Sequence, residues 1–135
     1  MAYSTQKAAE NLNPFEGVFP SRVEFTIGAE ITNTKNVAMV FQSGGNPLYD
    51  FGFVQAYISD NSDGSTLAAT APSGGWAIGT NGLLLPIIDN KYATLRTNVA
   101  GLVDVTITET GVDTFYVVVI LPDGTQVVSS AVTFT

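Results

Sequence analysis

From residue 22 onward, apolar and polar residues alternate in short segments that are typical of β-strands. The first segment, VEFTI, places three apolar side chains on one face and Glu24 and Thr26 on the other, so one face should be buried. Similar segments, separated by turn signals, follow at 37–42, 51–59, 76–78, 83–88, 92–97, 103–109, 114–121 and 126–134. About eight or nine strands at ~8–12-residue spacing indicate an all-β sandwich or barrel. We predict a single β-sandwich domain over residues 22–135.

Residues 1–21 form an extended N-terminal arm in this prediction. Pro14 and Pro20 bracket Phe15, Val18 and Phe19, and proline disfavours both helix and central strand there. The arm is either a frayed terminus or a segment that packs its aromatic side chains on a neighbouring subunit, and both interpretations stay open.

The segment 114–121, TFYVVVIL, is apolar on both faces. Alternate residues share a face, which groups Phe115, Val117, Val119 and Leu121 on one side and Tyr116, Val118 and Ile120 on the other. A sandwich buries only one face of each sheet, so the second face needs a further cover. A loop within 60–82, the arm or another subunit could supply that cover, and we favour an interface with another subunit or a host surface.

A turn sequence and a proline within a strand segment add detail to the strand prediction. The sequence PDG at 122–124 suits a tight hairpin with Gly124 at positive φ, so 114–121 and 125–134 should be antiparallel neighbours. Pro86 lies inside the segment LLLPII, which points to an edge strand or a bulge.

Composition narrows the class of function. The 135 residues suffice for one domain, only 13% are charged against a typical ~25%, and the net charge is -7. The five basic residues are scattered, so neither nucleic acid nor an anionic membrane is an expected partner, and a partner with a complementary basic patch fits better. The absence of cysteine suggests folding in a reducing cytoplasm. We expect no signal peptide, and no apolar run approaches the ~20 residues of a membrane span.

Catalytic chemistry has little support in the sequence. Histidine and cysteine are absent, which removes the commonest general base and thiolate nucleophiles. Ser4 and Lys7 have an S-x-x-K spacing without supporting motifs, and we interpret it as coincidence. Two carboxylates could act together in glycoside hydrolysis. We instead expect the acidic residues to lie on solvated strand faces, as for Glu24, Asp104 and Glu109. We therefore predict no enzyme activity, no catalytic residue and no cofactor.

Two loop motifs have alternative interpretations. The sequence DNSDG at 60–64 offers oxygen ligands for Ca²⁺, but its spacing does not match an EF-hand and Asx turns explain it without a metal. No metal site is assigned there. Trp76, between glycines, either anchors a partner or closes one end of the sandwich core, and the core interpretation is favoured.

The C-terminal sequence VDVTITETGVDTFYVVVILPDGTQVVSSAVTF resembles the last three strands of an immunoglobulin-like domain. In that resemblance Asp113 and Tyr116 correspond to the tyrosine corner at the start of the sixth strand. They have two residues between them where the antibody pattern has three, and the Cys-Trp-Cys core is missing. The resemblance implies an immunoglobulin-like sandwich.

The sequences AYISDNSDGSTLAATAPSGGWAIGTNGLLLPI and TFYVVVILPDG resemble small virion structural proteins of tailed bacteriophages. The resemblance covers roughly the last 60% of the chain and implies a capsid decoration, or cement, protein on the capsid surface, made in the host cytoplasm. Its implied partners are the major capsid protein and further copies of itself, with a trimer favoured. The expected interface residues are Phe15, Val18, Phe19, Trp76, Tyr116, Val118 and Ile120. The alternative is a glycan- or receptor-binding module of a phage fibre or tail, with Trp76, Tyr49 and Tyr57 as stacking platforms.

Overall fold

The fold is an all-β sandwich, as predicted, in a computed structural model that describes residues 20–43, 46–47 and 52–135. The described residues form eleven strands and no helix. The strands are β1 (Arg22–Ile27), β2 (Thr34–Ser43), β3 (Asn46–Pro47), β4 (Phe53–Ser59), β5 (Trp76–Ile78), β6 (Leu83–Ile88), β7 (Tyr92–Arg96), β8 (Leu102–Thr108), β9 (Asp113–Ile120), β10 (Gln126–Val128) and β11 (Val132–Phe134). Of the predicted arm, residues 1–19 lie outside the described residues.

The strands divide into two antiparallel sheets. The smaller sheet has the order β1-β2-β8-β5, with the two-residue β3 added beside β2. The larger sheet has the order β10-β9-β4-β7-β6, and β11 also pairs with β9. Every pair of strands is antiparallel.

Seven of these strands reproduce the arrangement of an immunoglobulin constant-type sandwich, whose sheets are ABED and CFG. In chain order β1, β2, β4, β5, β8, β9 and β10 take the places of A to G. The hairpin β6–β7 is inserted between D and E and extends the larger sheet beyond β4. In a variable-type domain the extra strands lie between C and D instead, so this insertion departs from the antibody pattern.

The inner faces of the two sheets form one hydrophobic core. The alternation of VEFTI is retained, because Val23 is buried while Glu24 is exposed. Phe115 and Phe134 meet edge to face, with ring centroids 6.4 Å apart, an arrangement that aromatic pairs prefer. Trp76 is only 6% exposed and belongs to this core, which confirms the core interpretation of this residue.

The turn and edge predictions are confirmed in detail. Gly124 has φ of 90°, and β10 and β11 both pair with β9 across the hairpin. β6 is an edge strand, and its register with β7 shifts between Pro86 and Ile88. A bulge there limits further strand addition at this edge.

The predicted last strand is divided in two by a second irregularity. Val128 faces Val118 and Val132 faces Phe115, so three residues of one strand lie opposite two of the other. Ser129 occupies this bulge, and its Oγ accepts a hydrogen bond of 3.0 Å from the Val117 amide. A side-chain oxygen thus replaces a backbone carbonyl in the ladder.

The prediction that Asp104 and Glu109 lie on solvated strand faces is wrong. Both carboxylates are buried, and each accepts hydrogen bonds from backbone amides of neighbouring loops. Burial of a carboxylate requires such donors. Glu24 is exposed, as expected, and forms an ion pair with Arg22.

Candidate interaction surface on the larger sheet

The outer face of the larger sheet carries more large apolar side chains than the outer face of the smaller sheet. Residues that pair across neighbouring strands form three rows on this face. The first row is Val128, Val118, Tyr57, Tyr92 and Ile88, and the second is Gln126, Ile120, Gln55, Thr94 and Leu85. The third row is Phe53, Arg96 and Leu83. The outer face of the smaller sheet instead carries mainly polar or small side chains, such as Arg22, Glu24, Thr26, Asn36, Ala38, Ala77 and Thr106. The two faces therefore differ in what they can bind.

Part of this face is covered by the chain itself. Val118 is fully buried, and Gly64 lies directly over it and over Val128. A Cβ built on Gly64 would be 2.9 Å from the side chains of both valines. The loop that contains DNSDG thus covers Val118, as the loop alternative expected, whereas Tyr116 and Ile120 of the same strand face remain half-buried. The favoured interface with another subunit or a host surface stays a prediction for these two residues.

Hydrogen bonds hold this cover in place. The Tyr57 hydroxyl donates to the Gly64 carbonyl at 2.5 Å, and the Gln126 side-chain amide donates to both of these oxygens. Tyr92 packs edge to face against Tyr57 and donates to the side-chain oxygen of Gln55. Burial raises the pKa of Tyr57 above its usual range, whereas the Gln126 hydrogen bond opposes this rise.

The uncovered part includes a group of apolar side chains on β6, here called the β6 patch. Leu85, Ile87 and Ile88 are 47%, 53% and 45% exposed. Single exposed apolar residues are normal on protein surfaces, but here three of them lie within four residues of one edge strand. Exposed groups of this kind mark interaction sites.

A second open feature is a depression of about 280 Å³ at the end of the same face, here called the hairpin depression. Its lining residues are Phe53, Val54, Gln55, Thr94, Ile120, Leu121 and Pro122. Phe53 forms an exposed wall, with 56% of its surface accessible. The depression lies beside the β9–β10 hairpin and next to the start of β4.

The connection between β5 and β6 is anchored by Asp104. Its Oδ1 accepts a hydrogen bond from the Asn81 amide at 2.6 Å, its Oδ2 accepts from the Asn36 side-chain amide at 2.7 Å, and the Thr80 amide reaches both oxygens. Burial raises the pKa of this carboxyl, but the hydrogen bonds outweigh burial and hold the pKa below its usual value. The anchored segment leads directly into β6.

The structure separates the interface residues that the sequence suggested. Tyr116 and Ile120 are half-buried on the outer face, whereas Val118 and Trp76 are buried within the chain and offer no surface in this conformation. Phe15, Val18 and Phe19 lie outside the described residues, as does Tyr49 of the glycan alternative. Whether the remaining residues bind a partner stays a prediction.

Tyr116 also departs from the tyrosine-corner resemblance. Within the described part of the chain, its hydroxyl has no hydrogen-bond partner. Asp113 accepts a hydrogen bond from the amide of Thr114, its immediate neighbour. The strand order therefore carries the likeness to immunoglobulin domains, and this side-chain signature does not.

The DNSDG loop uses its polar side chains for local structure. Asp60 accepts from the Ala69 amide at 2.8 Å, Asp63 accepts from the Ser65 amide at 3.0 Å, and Asn61 donates to Thr66. Hydrogen bonds from Ser65 lower the pKa of Asp63. No group of three or more acidic side chains placed to hold a metal occurs among the described residues.

The sequence-based prediction did not single out Leu85, Ile87 or Ile88 as interface residues. A signal was present in LLLPII, which is apolar at consecutive positions although its proline marks an edge strand. An edge strand with one solvated face should alternate. The missing alternation was the available indication that both sides of β6 carry apolar residues.

In the described residues no helix is long and apolar enough to cross a membrane.

Comparison with known proteins adds no family assignment. No protein-family model and no curated protein matches the chain.

Proposed function

We propose that this chain is a non-enzymatic virion structural protein, a capsid decoration protein that binds the assembled head of a tailed bacteriophage and stabilises it. The observation that supports the proposal is the β6 patch, three half-exposed aliphatic side chains on one edge strand. The resemblance to small phage virion proteins supplies the biological setting. The partner is the major capsid protein, and the active form is a homo-oligomer, with a trimer favoured.

The partner contacts side chains on β6 rather than extending its backbone ladder. Pro86 lacks an amide hydrogen, and the register shift beside it bends the strand. Both features disfavour edge-to-edge pairing with another strand. A surface that is apolar but protected against strand addition suits docking by complementary shape.

Burial of the patch provides enough free energy to bias assembly when many copies bind. A fully buried Leu or Ile contributes ~1.5–3 kcal/mol, so a half-exposed one has about 1 kcal/mol left to gain. Three such residues give roughly 3 kcal/mol per subunit at most. Because only the assembled head presents the binding site, every bound copy stabilises that state by mass action.

The test is binding to expanded heads assembled from the major capsid protein encoded in the same genome. Leu85→Ser should raise the dissociation constant about 5-fold, which corresponds to ~1 kcal/mol, and should reduce the rise in head melting temperature. Cosedimentation and calorimetry measure the two effects.

Val112→Ser is the matched control. Val112 is an apolar residue that is 83% exposed in the turn before β9, away from the β6 patch, and its replacement should leave binding unchanged. Equal binding by both variants would remove the β6 patch from the interface. If the unaltered protein fails to bind heads, the decoration function itself is refuted.

A further inference from the structure

Asn81 and Gly82 form the one Asn-Gly pair in the sequence, and they lie in the connection that leads into β6. Asparagine is among the thermally labile residues. Its side-chain amide carbon is open to attack by the main-chain nitrogen of the next residue, and glycine obstructs that attack least because it has no Cβ. The pair is therefore a candidate for loss of the side-chain amide.

The fold itself requires the glycine of this pair. Gly82 has φ of 87°, in the left-handed region that glycine adopts readily. A Cβ at this position would lie 2.5 Å from the Arg96 carbonyl oxygen, which is closer than such atoms can approach. The reactive pair is thus a consequence of the turn into β6, because the chain cannot place a larger residue after Asn81 without distorting that turn.

The two nitrogen atoms that take part in the reaction are not held by hydrogen bonds. Within the described part of the chain, neither the Gly82 amide nor Nδ2 of Asn81 has a hydrogen-bond partner. The Oδ1 atom of Asn81 accepts a hydrogen bond of 3.3 Å from Nδ2 of Asn98. A donor aimed at this oxygen stabilises the negative charge that develops on it when the amide carbon is attacked. Asn81 is only half-buried, so water can reach it.

We propose that Asn81 is a site of spontaneous deamidation in the folded chain, with the Gly82 nitrogen as the nucleophile. This nitrogen forms a bond to Cγ of Asn81 and gives up its proton, the Cγ–Nδ2 bond breaks, and ammonia leaves. Water then opens the resulting cyclic imide at one of its two carbonyl carbons, which gives aspartate or isoaspartate. The reaction needs only water, and it does not rest on the decoration function.

The reaction weakens the attachment of this connection to β8. The Asn81 amide donates to Oδ1 of Asp104 at 2.6 Å, and the Asp104 amide donates to the Asn81 carbonyl at 3.2 Å. In isoaspartate the main chain runs through Cβ and Cγ, so the carbonyl that accepts from Asp104 leaves the main chain and becomes a carboxylate. Either product also adds a second negative charge beside Asp104, and like charges disfavour each other. Deamidation should therefore loosen the start of β6.

Ageing of the full-length chain at mildly alkaline pH, followed by peptide mass spectrometry, tests the proposal. The peptide that contains Asn81 should gain the mass difference between NH₂ and OH, and fragmentation separates isoaspartate from aspartate. Asn90 is the internal control, because it is also half-buried but precedes Lys91, whose amide donates to the Ile88 carbonyl at 3.0 Å. Asn81 should react at least ~10-fold faster than Asn90, which corresponds to a barrier lower by ~1.4 kcal/mol.

The same measurement in urea gives the rate for the unfolded chain, in which Asp104 no longer anchors Asn81. A folded rate within ~10-fold of the unfolded rate supports the proposal. A folded rate below this range would show that the contacts with Asp104 protect the pair, and equal rates at Asn81 and Asn90 would show that the glycine confers no reactivity. Either result overturns the proposal. No capsid is present in these measurements, so failure here is distinct from failure of head binding.

Discussion

The buried carboxylate of Asp104 should control both the stability of the sandwich and the order of the segment that leads into β6. We consider the substitution Asp104→Asn, which preserves size and removes the charge. Asp104 is 7% exposed, and three donors share its two oxygens: the amides of Thr80 and Asn81 and the side chain of Asn36. An asparagine would keep one oxygen and turn an NH₂ group towards donors.

The magnitude follows from these contacts. Hydrogen bonds to a charged group contribute ~1.5–3 kcal/mol each, and a buried donor that loses its acceptor costs ~1–3 kcal/mol. At least one of the three donors loses its acceptor, and the others become bonds to a neutral oxygen. The expected loss in the free energy of unfolding is about 2–4 kcal/mol, which corresponds to a decrease in Tm on the order of 10 °C for a chain of this size.

The pH dependence gives a second, independent signature. Because folding lowers the pKa of Asp104, its contribution is present at pH values above the unfolded pKa of ~3.9 and is lost as the pH falls through the folded pKa. The difference in stability between the unaltered chain and Asp104→Asn should therefore be largest near pH 7. It should shrink as the pH is lowered from about 5 towards 3.

Thermal unfolding followed by circular dichroism from pH 3 to 7 measures both quantities. Hydrogen exchange of the Thr80 and Asn81 amides should accelerate in the variant, because their acceptor is weakened. Asp89→Asn is the control: it removes the same charge from an exposed turn where Asp89 has no hydrogen bond within the described part of the chain. If the two variants unfold at the same temperature with the same pH profile, the role assigned to Asp104 is wrong.

Two further predictions concern backbone geometry. Gly79→Ala should destabilise the chain by at least ~2 kcal/mol, because the new Cβ would lie 2.0 Å from Asp104 Oδ2. The control Gly124→Ala, at φ of 90° with open space around it, should cost only the ~1–2 kcal/mol of the left-handed conformation. Urea unfolding that ranked the two variants in reverse would contradict the steric argument. Ser129→Ala should cost about 1–3 kcal/mol, because it leaves the buried Val117 amide without its acceptor; an unchanged urea midpoint, or no faster hydrogen exchange at Val117, would contradict the role of Ser129 in the bulge.

The strands could be predicted from the sequence because their signals are local. Alternation placed β1 and β8, the sequence PDG placed the β9–β10 hairpin, and Pro86 marked an edge. The division of the last strand was missed, since a serine side chain that replaces a ladder carbonyl leaves no trace in hydrophobic periodicity. Pairing across the bulge is visible only in the register.

The long-range contacts could not be predicted in this way. The alternation of β9 shows that Val118 faces away from the core, but it does not reveal that Gly64 covers Val118. Likewise, Asp104 occupies a polar position of an alternating strand, and its burial depends on Thr80 and Asn81, more than twenty residues away. Both errors have the same cause, because a loop that folds over an outer face changes exposure without changing the strand pattern.

The inserted hairpin explains how the β6 patch comes to be exposed. β7 is part of the fold, because Ala93 and Leu95 are fully buried in the core. β6 contributes Leu84, which is partly buried and packs against the same core. The exposed aliphatic residues that follow on β6 add little to that packing and leave apolar surface in water. In a monomer such a strand is an aggregation hazard, and under the proposed decoration function the capsid would cover it.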